Sequence, residues 1–317
     1  MNGTAILVGD GPCRRISAEE AIGYDGPGFI WSHVEGAEGL ELPPVVHADI
    51  PEVAASALVA AETRPRCERI GDGAIVNLRG PAATDTHDSD RLVSIRMWAR
   101  KGKVHSVSRR PLAATAAVLE QMDAGKLLDP GDLVAAYARE ISATLDPQVA
   151  RLGDELDDYE SELQELNKFR LRYAITRIRS EAIAFRRFVA PDRDALVMLA
   201  GQDFDWLEED DKLHIREAAD RFARMAEELE SVRERAALLH EQLTDLRAEE
   251  IDQRALLISV VAFIFLPLTF ITGLLGMNVE GIPDAHDPFA FWWVVAFCVL
   301  VGMGVLAWFI RRQWLRR

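Results

Sequence analysis

The stretch ALLISVVAFIFLPLTFITGLL, Ala255 to Leu275, decides the fold, because 21 consecutive residues carry no charge. A helix of that length rises roughly 32 Å, which matches a hydrocarbon core of about 30 Å. A second uncharged run, Phe289 to Ile310, follows after a short polar connection. Two such runs so close together predict a membrane hairpin rather than a pair of core helices. The basic residues orient it. Arg247 and Arg254 precede the first span and Arg311, Arg312, Arg316 and Arg317 follow the second, whereas Gly276 to Pro288 holds no Lys or Arg. The positive-inside rule then places both termini in the cytoplasm. Trp292 and Trp293 at one end of the second span, and Trp308 and Trp314 at the other, read as interfacial anchors.

Upstream of the first span lies an apolar seam. Phe222, Met225, Leu229, Val232, Ala236, Leu239, Leu243 and Leu246 alternate spacings of three and four, as in a heptad pattern. No helix breaker separates this seam from Ala255, so Asp211 to Leu275 reads as one stalk helix. It is either a coiled-coil spacer or a rod that carries rearrangement into the bilayer. Helical patterning also marks Leu112–Met122, Pro130–Thr144 and Pro147–Val189, the last one long charged helix or a near-continuous pair ended by the Ala190-Pro191 break, with a short helix over Ala195–Ala200. The first 110 residues or so predict a mixed sheet with helices. Ala5–Val8, Phe29–Val34, Ala74–Leu78 and Leu92–Ala99 have strand character, and Pro51–Glu62 is helical. Val93, Ile95 and Met97 alternate with Ser94, Arg96 and Trp98, and the Lys101-Gly102-Lys103 turn leads to Val104–Val107, a hairpin.

These elements give an α+β cytoplasmic domain, a long stalk helix and two C-terminal transmembrane helices. The boundaries are 1–145 for the α/β domain and 146–254 for the helical stalk region. Residues 255–275 form the first span, 276–288 the outer loop, 289–310 the second span and 311–317 a basic tail. Met1–Ile16 lacks a basic segment followed by an apolar one, so no cleaved leader is expected there.

The first span also has a distinctive face. Helical spacing lines up Asp252, Ala255, Ser259, Ala262, Leu266, Thr269, Gly273 and Gly276, small or polar apart from Leu266. In lipid such a stripe marks close helix packing or a water-filled path. One helix cannot enclose a pore, so a path needs several copies around an axis. Asp252 would then ring the inner mouth, Leu266 form a greasy constriction and Thr269 a hydroxyl ring. The alternative is a packing seam with Thr269 bonded back to its own backbone. The outer loop holds three acids and no base, which in an oligomer attracts cations. Its oxygens suit hard divalent ions, and Glu280 and His286 add ligands for a borderline ion such as zinc.

The whole chain counts 36 Lys+Arg against 51 Asp+Glu, a net charge of −15. Residues 255–317 contribute +1 of this, leaving −16 on the part before the spans. Such a balance excludes nucleic acid as a partner and fits a cation. Three dispersed cysteines exclude a disulfide scaffold or zinc ribbon. No phosphate-binding G-x-x-x-x-G-K-[ST] loop, G-x-S-x-G elbow or H-E-x-x-H pair occurs, so no enzyme and no resident cofactor are expected. Asp85, His87, Asp88 and Asp90 form an acidic loop that either holds a regulatory metal ion or is a solvated turn. The acids Asp203, Asp205, Glu208, Glu209, Asp210 and Asp211 pose the same alternative at the start of the stalk helix.

The segment Phe265-Leu-Pro-Leu-Thr-Phe-Ile-Thr-Gly-Leu-Leu-Gly-Met-Asn278 resembles the signature of the CorA family of divalent metal-ion transporters, with its G-M-N triplet at the end of the first span. Gly281-Ile282-Pro283, Thr63-Arg64-Pro65-Arg66 and Leu92–Trp98 resemble the ZntB zinc-transporter branch, which has a glycine where this chain has Glu280. The resemblance implies a homopentameric funnel in a bacterial inner membrane, with the stalk helix lining the pore and the second span outside it. It implies zinc as cargo, with proton-coupled and uncoupled uptake both open, and magnesium, cobalt, nickel or cadmium as alternatives. It also places Asn278 at the outer selectivity mouth, supported by Gly276 and Met277, and Thr269 at a polar pore ring, while Glu280, the departure from that branch, adds a negative ring at the same mouth. The competing readings are a CorA-type channel gated by intracellular metal and a non-conducting membrane-anchored scaffold or sensor.

Overall fold

The computed structural model describes residues 2–8, 13–17, 20–21, 24, 26–36, 42–60, 64–84, 92–161, 168–277 and 288–314. By contact the chain divides into Met1–His240 and Glu241–Arg317.

The first unit is built on a seven-stranded sheet. Its strands are β1 (Asn2–Val8), β2 (Arg14–Ile16), β3 (Phe29–Glu35), β4 (Arg66–Ile70), β5 (Gly73–Pro81), β6 (Leu92–Arg100) and β7 (Lys103–Ser108), in the spatial order β2-β1-β3-β7-β6-β5-β4. All neighbours are antiparallel except β3 with β7, which are parallel. The hairpin expected at Lys101-Gly102 joins β6 to β7, and Gly102 adopts φ +74°, the left-handed conformation that glycine supplies without strain.

One face of the sheet is covered by α1 (Pro44–Asp49) and α2 (Glu52–Val59), which close an apolar cluster containing Val34, Val46, Ala54, Leu58, Ile75, Trp98 and Val107. The other face receives α3 (Ala114–Asp123) and α4 (Pro130–Ser161), with Tyr137 edge-on to Trp31 at 6.1 Å between ring centres. Coverage on both sides corrects the expected alternation in β6. Arg96 and Trp98 are as buried as Ile95 and Met97, and Arg96 remains satisfied by donating to the Leu58 carbonyl at 2.9 Å, at the C-terminal end of α2.

Two expected helix breaks are absent. Helix α4 runs straight through Pro147, and α5 (Lys168–Ala200) runs through Pro191 and absorbs the separate helix expected at Ala195–Ala200. The reason is the continuity of their buried stripes. Leu145, Val149, Leu152 and Leu156 continue one across Pro147, and Val189, Asp192, Leu196 and Leu199 continue the other. That packing outweighs the one backbone donor each proline removes, a loss of about 3 kcal/mol. Asp192 also bonds outward. Its Oδ1 accepts the Arg79 backbone N–H at 3.0 Å, beyond the point where β4 stops pairing with β5, so a helix side chain completes the sheet edge.

Helix α6 is continuous from Glu209 to Leu275, 67 residues. Its heptad seam is buried within the chain itself. Phe222, Met225 and Leu229 are fully covered, Val232 packs on Gly153 of α4, and ion pairs Arg186–Glu230 and Arg235–Glu160 hold α5 and α4 alongside. Leu246 is the seam residue left exposed. The period-3.5 pattern therefore records a three-helix packing inside one chain rather than a coiled coil between chains. The second unit contains the remainder of α6 and helix α7 (Ala290–Trp314).

Candidate ion path along the long helix

The apolar part of α6 has three faces, and its partner α7 chooses among them. Val260, Ile264, Leu268 and Ile271 of α6 are half-buried, as are Val294, Cys298, Gly302, Val305 and Phe309 of α7. These are the contact faces. A Cβ on Gly302 would lie 3.9 Å from Ile264, and the Phe263 and Phe309 rings meet edge-on at 6.2 Å. Leu257, Phe265 and Phe270 point elsewhere and are exposed, as suits lipid.

Asp252, Ser259, Ala262, Leu266, Thr269 and Gly273 all lie exposed along one line, Leu266 at 76%. Each of Ala262, Leu266 and Thr269 sits two positions from a residue packed on α7, and two positions turn a helix by about 200°. The small and polar stripe thus faces away from the second span. A packing seam between the chain's own two spans is excluded, and the stripe is available to other copies or to water. Gly273 fits either use, since an added Cβ would meet nothing within 4 Å in this chain.

The hydroxyls separate further. Ser259 Oγ donates to the Ala255 carbonyl at 2.8 Å, and Thr272 Oγ1 donates to the Leu268 carbonyl at 2.9 Å, both back-bonds within the helix. Thr269 Oγ1 makes no hydrogen bond among the described residues. The back-bonded alternative for Thr269 therefore fails, and its hydroxyl remains available to a ligand. Gly276 closes the helix by donating its N–H to the Thr272 carbonyl at 2.9 Å, and Met277 is half-exposed beyond it. Asn278 and Glu280 lie outside the described residues, as do Asp85, His87 and Asp88.

One carboxylate group escaped the sequence reading. Asp129, Asp132 and Asp211 bring oxygens within 4.8 Å of one another. Asp129 and Asp132 form the N-terminal capping pair of α4, with Asp132 N–H donating to Asp129 Oδ1 and Leu128 N–H to Asp132 Oδ2. Asp211 caps α6 by accepting the Glu208 N–H at 2.8 Å. Two helix N-termini meet here, and three acids lie where each helix dipole favours negative charge. Burial, then the charge of Asp129, push the Asp211 carboxyl up to about 7. About 80 residues of sequence separate the two caps, so no spacing rule connects them. The other acids of the expected cluster stay outside: Asp203, Glu209 and Asp210 are solvent-exposed.

Two apolar helices packed together, after a sheet domain of this size, define a membrane protein with a large extramembrane unit. The chain belongs to the family described as CorA-like Mg2+ transporter protein, whose pattern matches residues 26–312. It is 29% identical over 315 residues to the zinc transport protein ZntB of Pectobacterium carotovorum subsp. carotovorum (strain PC1), spanning 98% of this chain and 94% of that protein. Among solved structures, full-length CmaX superposes with a TM-score of 0.79 at 30% identity, covering 99% of this chain and 98% of that one. The CorA magnesium transporter of Methanocaldococcus jannaschii gives a TM-score of 0.81 at 18% identity over 98% of both chains, a likeness of fold. The resemblance drawn from Phe265–Asn278 is thereby upheld, and the chain is placed among transporters rather than enzymes.

Proposed function

We propose that the protein carries divalent cations across a bacterial inner membrane, zinc foremost, through a pore lined by α6 from five copies. The observation that supports this most is the Ser259–Ala262–Leu266–Thr269–Gly273 stripe turned away from α7, with the Thr269 hydroxyl unengaged. Assembly around that stripe leaves α7 on the lipid side. In this arrangement Glu280 and Asn278 meet the hydrated ion at the outer mouth, next to Gly276 and Met277. Charge concentrates the ion, and the carboxamide oxygen accepts hydrogen bonds from its water. Thr269 offers a second ring of oxygens, Leu266 a narrow apolar step that gates by excluding water, and Asp252 a carboxylate ring at the inner mouth. Both chain ends are cytoplasmic, and an inward proton gradient assists uptake. The ZntB relative, similar along nearly the whole chain, favours zinc as cargo.

Two observations test this reading together. The purified protein should have a detergent-corrected mass of five chains. Its expression in a bacterium lacking zinc-uptake systems should restore growth on chelator-limited medium. A dimer or trimer, or no growth from a strain with the protein in its membrane, would return the chain to the scaffold class.

A further inference from the structure

The base of α6 is tied to the edge of the sheet by a contact that chain connectivity does not require. After α5 ends at Ala200, the chain turns through residues 201–208 before α6 begins. Phe204, Trp206 and Leu207 of this turn are buried although acids flank them. Phe204 and Trp206 dock on the β4–β5 hairpin, the outermost of the sheet on that side. Arg69 of β4 donates through Nη1 to the Asp203 carbonyl at 3.1 Å, and its guanidinium lies 4.7 Å over the Phe204 ring. Phe204 stacks on Trp206 with ring centres 5.1 Å apart. Trp206 Nε1 in turn donates to the Asp72 carbonyl at 3.2 Å, in the hairpin turn. Three side chains thus bridge the hairpin and the turn twice, with an arginine–aromatic stack between the two hydrogen bonds. Immediately afterwards the Glu208 N–H bonds to Asp211 in the first turn of α6.

We infer that the turn 201–208 is a latch that fixes the base of α6 to the sheet's edge hairpin, and that Arg69, Phe204 and Trp206 are its positioning residues, through which movement of the sheet domain reaches the ion path. This rests on the transport reading above. Arg69 is solvent-exposed over buried rings, and because a guanidinium stays charged throughout the physiological range its contact with Phe204 is insensitive to pH. Because α6 is one uninterrupted helix held on α4 and α5 from Phe222 onward, a loosened base frees its first turns from the sheet's edge while the seam beyond stays packed.

The test uses the full-length protein in proteoliposomes and reads two quantities, amide hydrogen exchange over residues 209–216 and zinc flux. Arg69→Ala should raise exchange there about tenfold, the signature of a local opening, and change flux about threefold or more. Arg69→Lys should restore both only in part, because an ammonium can sit over the ring but lacks the planar fork that also donates to Gly71 and Asp203. Trp206→Phe keeps the stack and removes only the bond to Asp72, so its exchange should rise by roughly threefold, the loss of one neutral hydrogen bond. Unchanged exchange in Arg69→Ala would show that no latch exists. Raised exchange with unchanged flux would show that the latch transmits nothing. If the unmutated protein passes no zinc, the transport reading fails on that control, and the exchange data still decide whether the latch holds.

Discussion

Asn278→Ala should abolish zinc uptake while leaving the assembled particle intact, if the proposed pore carries the ion. In a symmetric pore the substitution removes one carboxamide from every copy at the same level. Each lost hydrogen bond to the ion's water shell costs about 1 kcal/mol. Several lost together at the entry step lower flux on the order of a hundredfold or more. The measurement is uptake into vesicles alongside particle mass and melting temperature. A mutant with normal mass and normal uptake would remove Asn278 from the outer site. Asn278→Gln keeps the amide on a longer arm and should recover only part of the flux, because the ring of oxygens no longer matches the hydrated ion.

The second large effect concerns stability. Trp98 of β6 is wholly buried, and its ring lies where a Cβ on Gly73 would approach to 2.5 Å. Trp98→Ala opens a cavity beneath α1 and α2 and costs about 3–5 kcal/mol. That is a large share of a total stability of about 5–15 kcal/mol. For a unit of this size the melting temperature should fall by roughly 10 °C. Gly73→Ala should do comparable harm from the opposite side, since its methyl would meet both the Trp98 ring and the Ala99 carbonyl at 2.7 Å. A fall of under about 2 °C in both variants would mean the cluster repacks without cost.

What could be read without coordinates follows a physical division. The membrane hairpin was legible because lipid demands about 20 uncharged residues per span, a constraint satisfied by composition alone. The length of α6 was legible from an unbroken period. Its partner was not, since a 3-4 spacing looks the same whether the seam meets another chain or, as here, Gly153 of α4 in the same chain. The prolines misled in a similar way. Pro147 and Pro191 carry a local preference for a break, and it is overridden by buried stripes visible only after packing. In the candidate path, the stripe from Asp252 to Gly273 came from spacing, but its direction relative to α7 and the difference between Thr269 and the back-bonded Ser259 needed coordinates. The Asp129–Asp132–Asp211 group and the Arg69–Phe204–Trp206 bridge join residues far apart in the chain, and no periodicity connects them. The departure at Glu280 lies in the connection between the two apolar helices, outside the described residues.

The central claim is tested most directly by zinc flux into proteoliposomes containing an internal fluorescent indicator, with and without an inward proton gradient and with magnesium run in parallel. The account predicts zinc entry that rises with the gradient and exceeds magnesium entry. Magnesium flux indifferent to pH, or no flux of either ion from a particle verified to contain five chains, would contradict it.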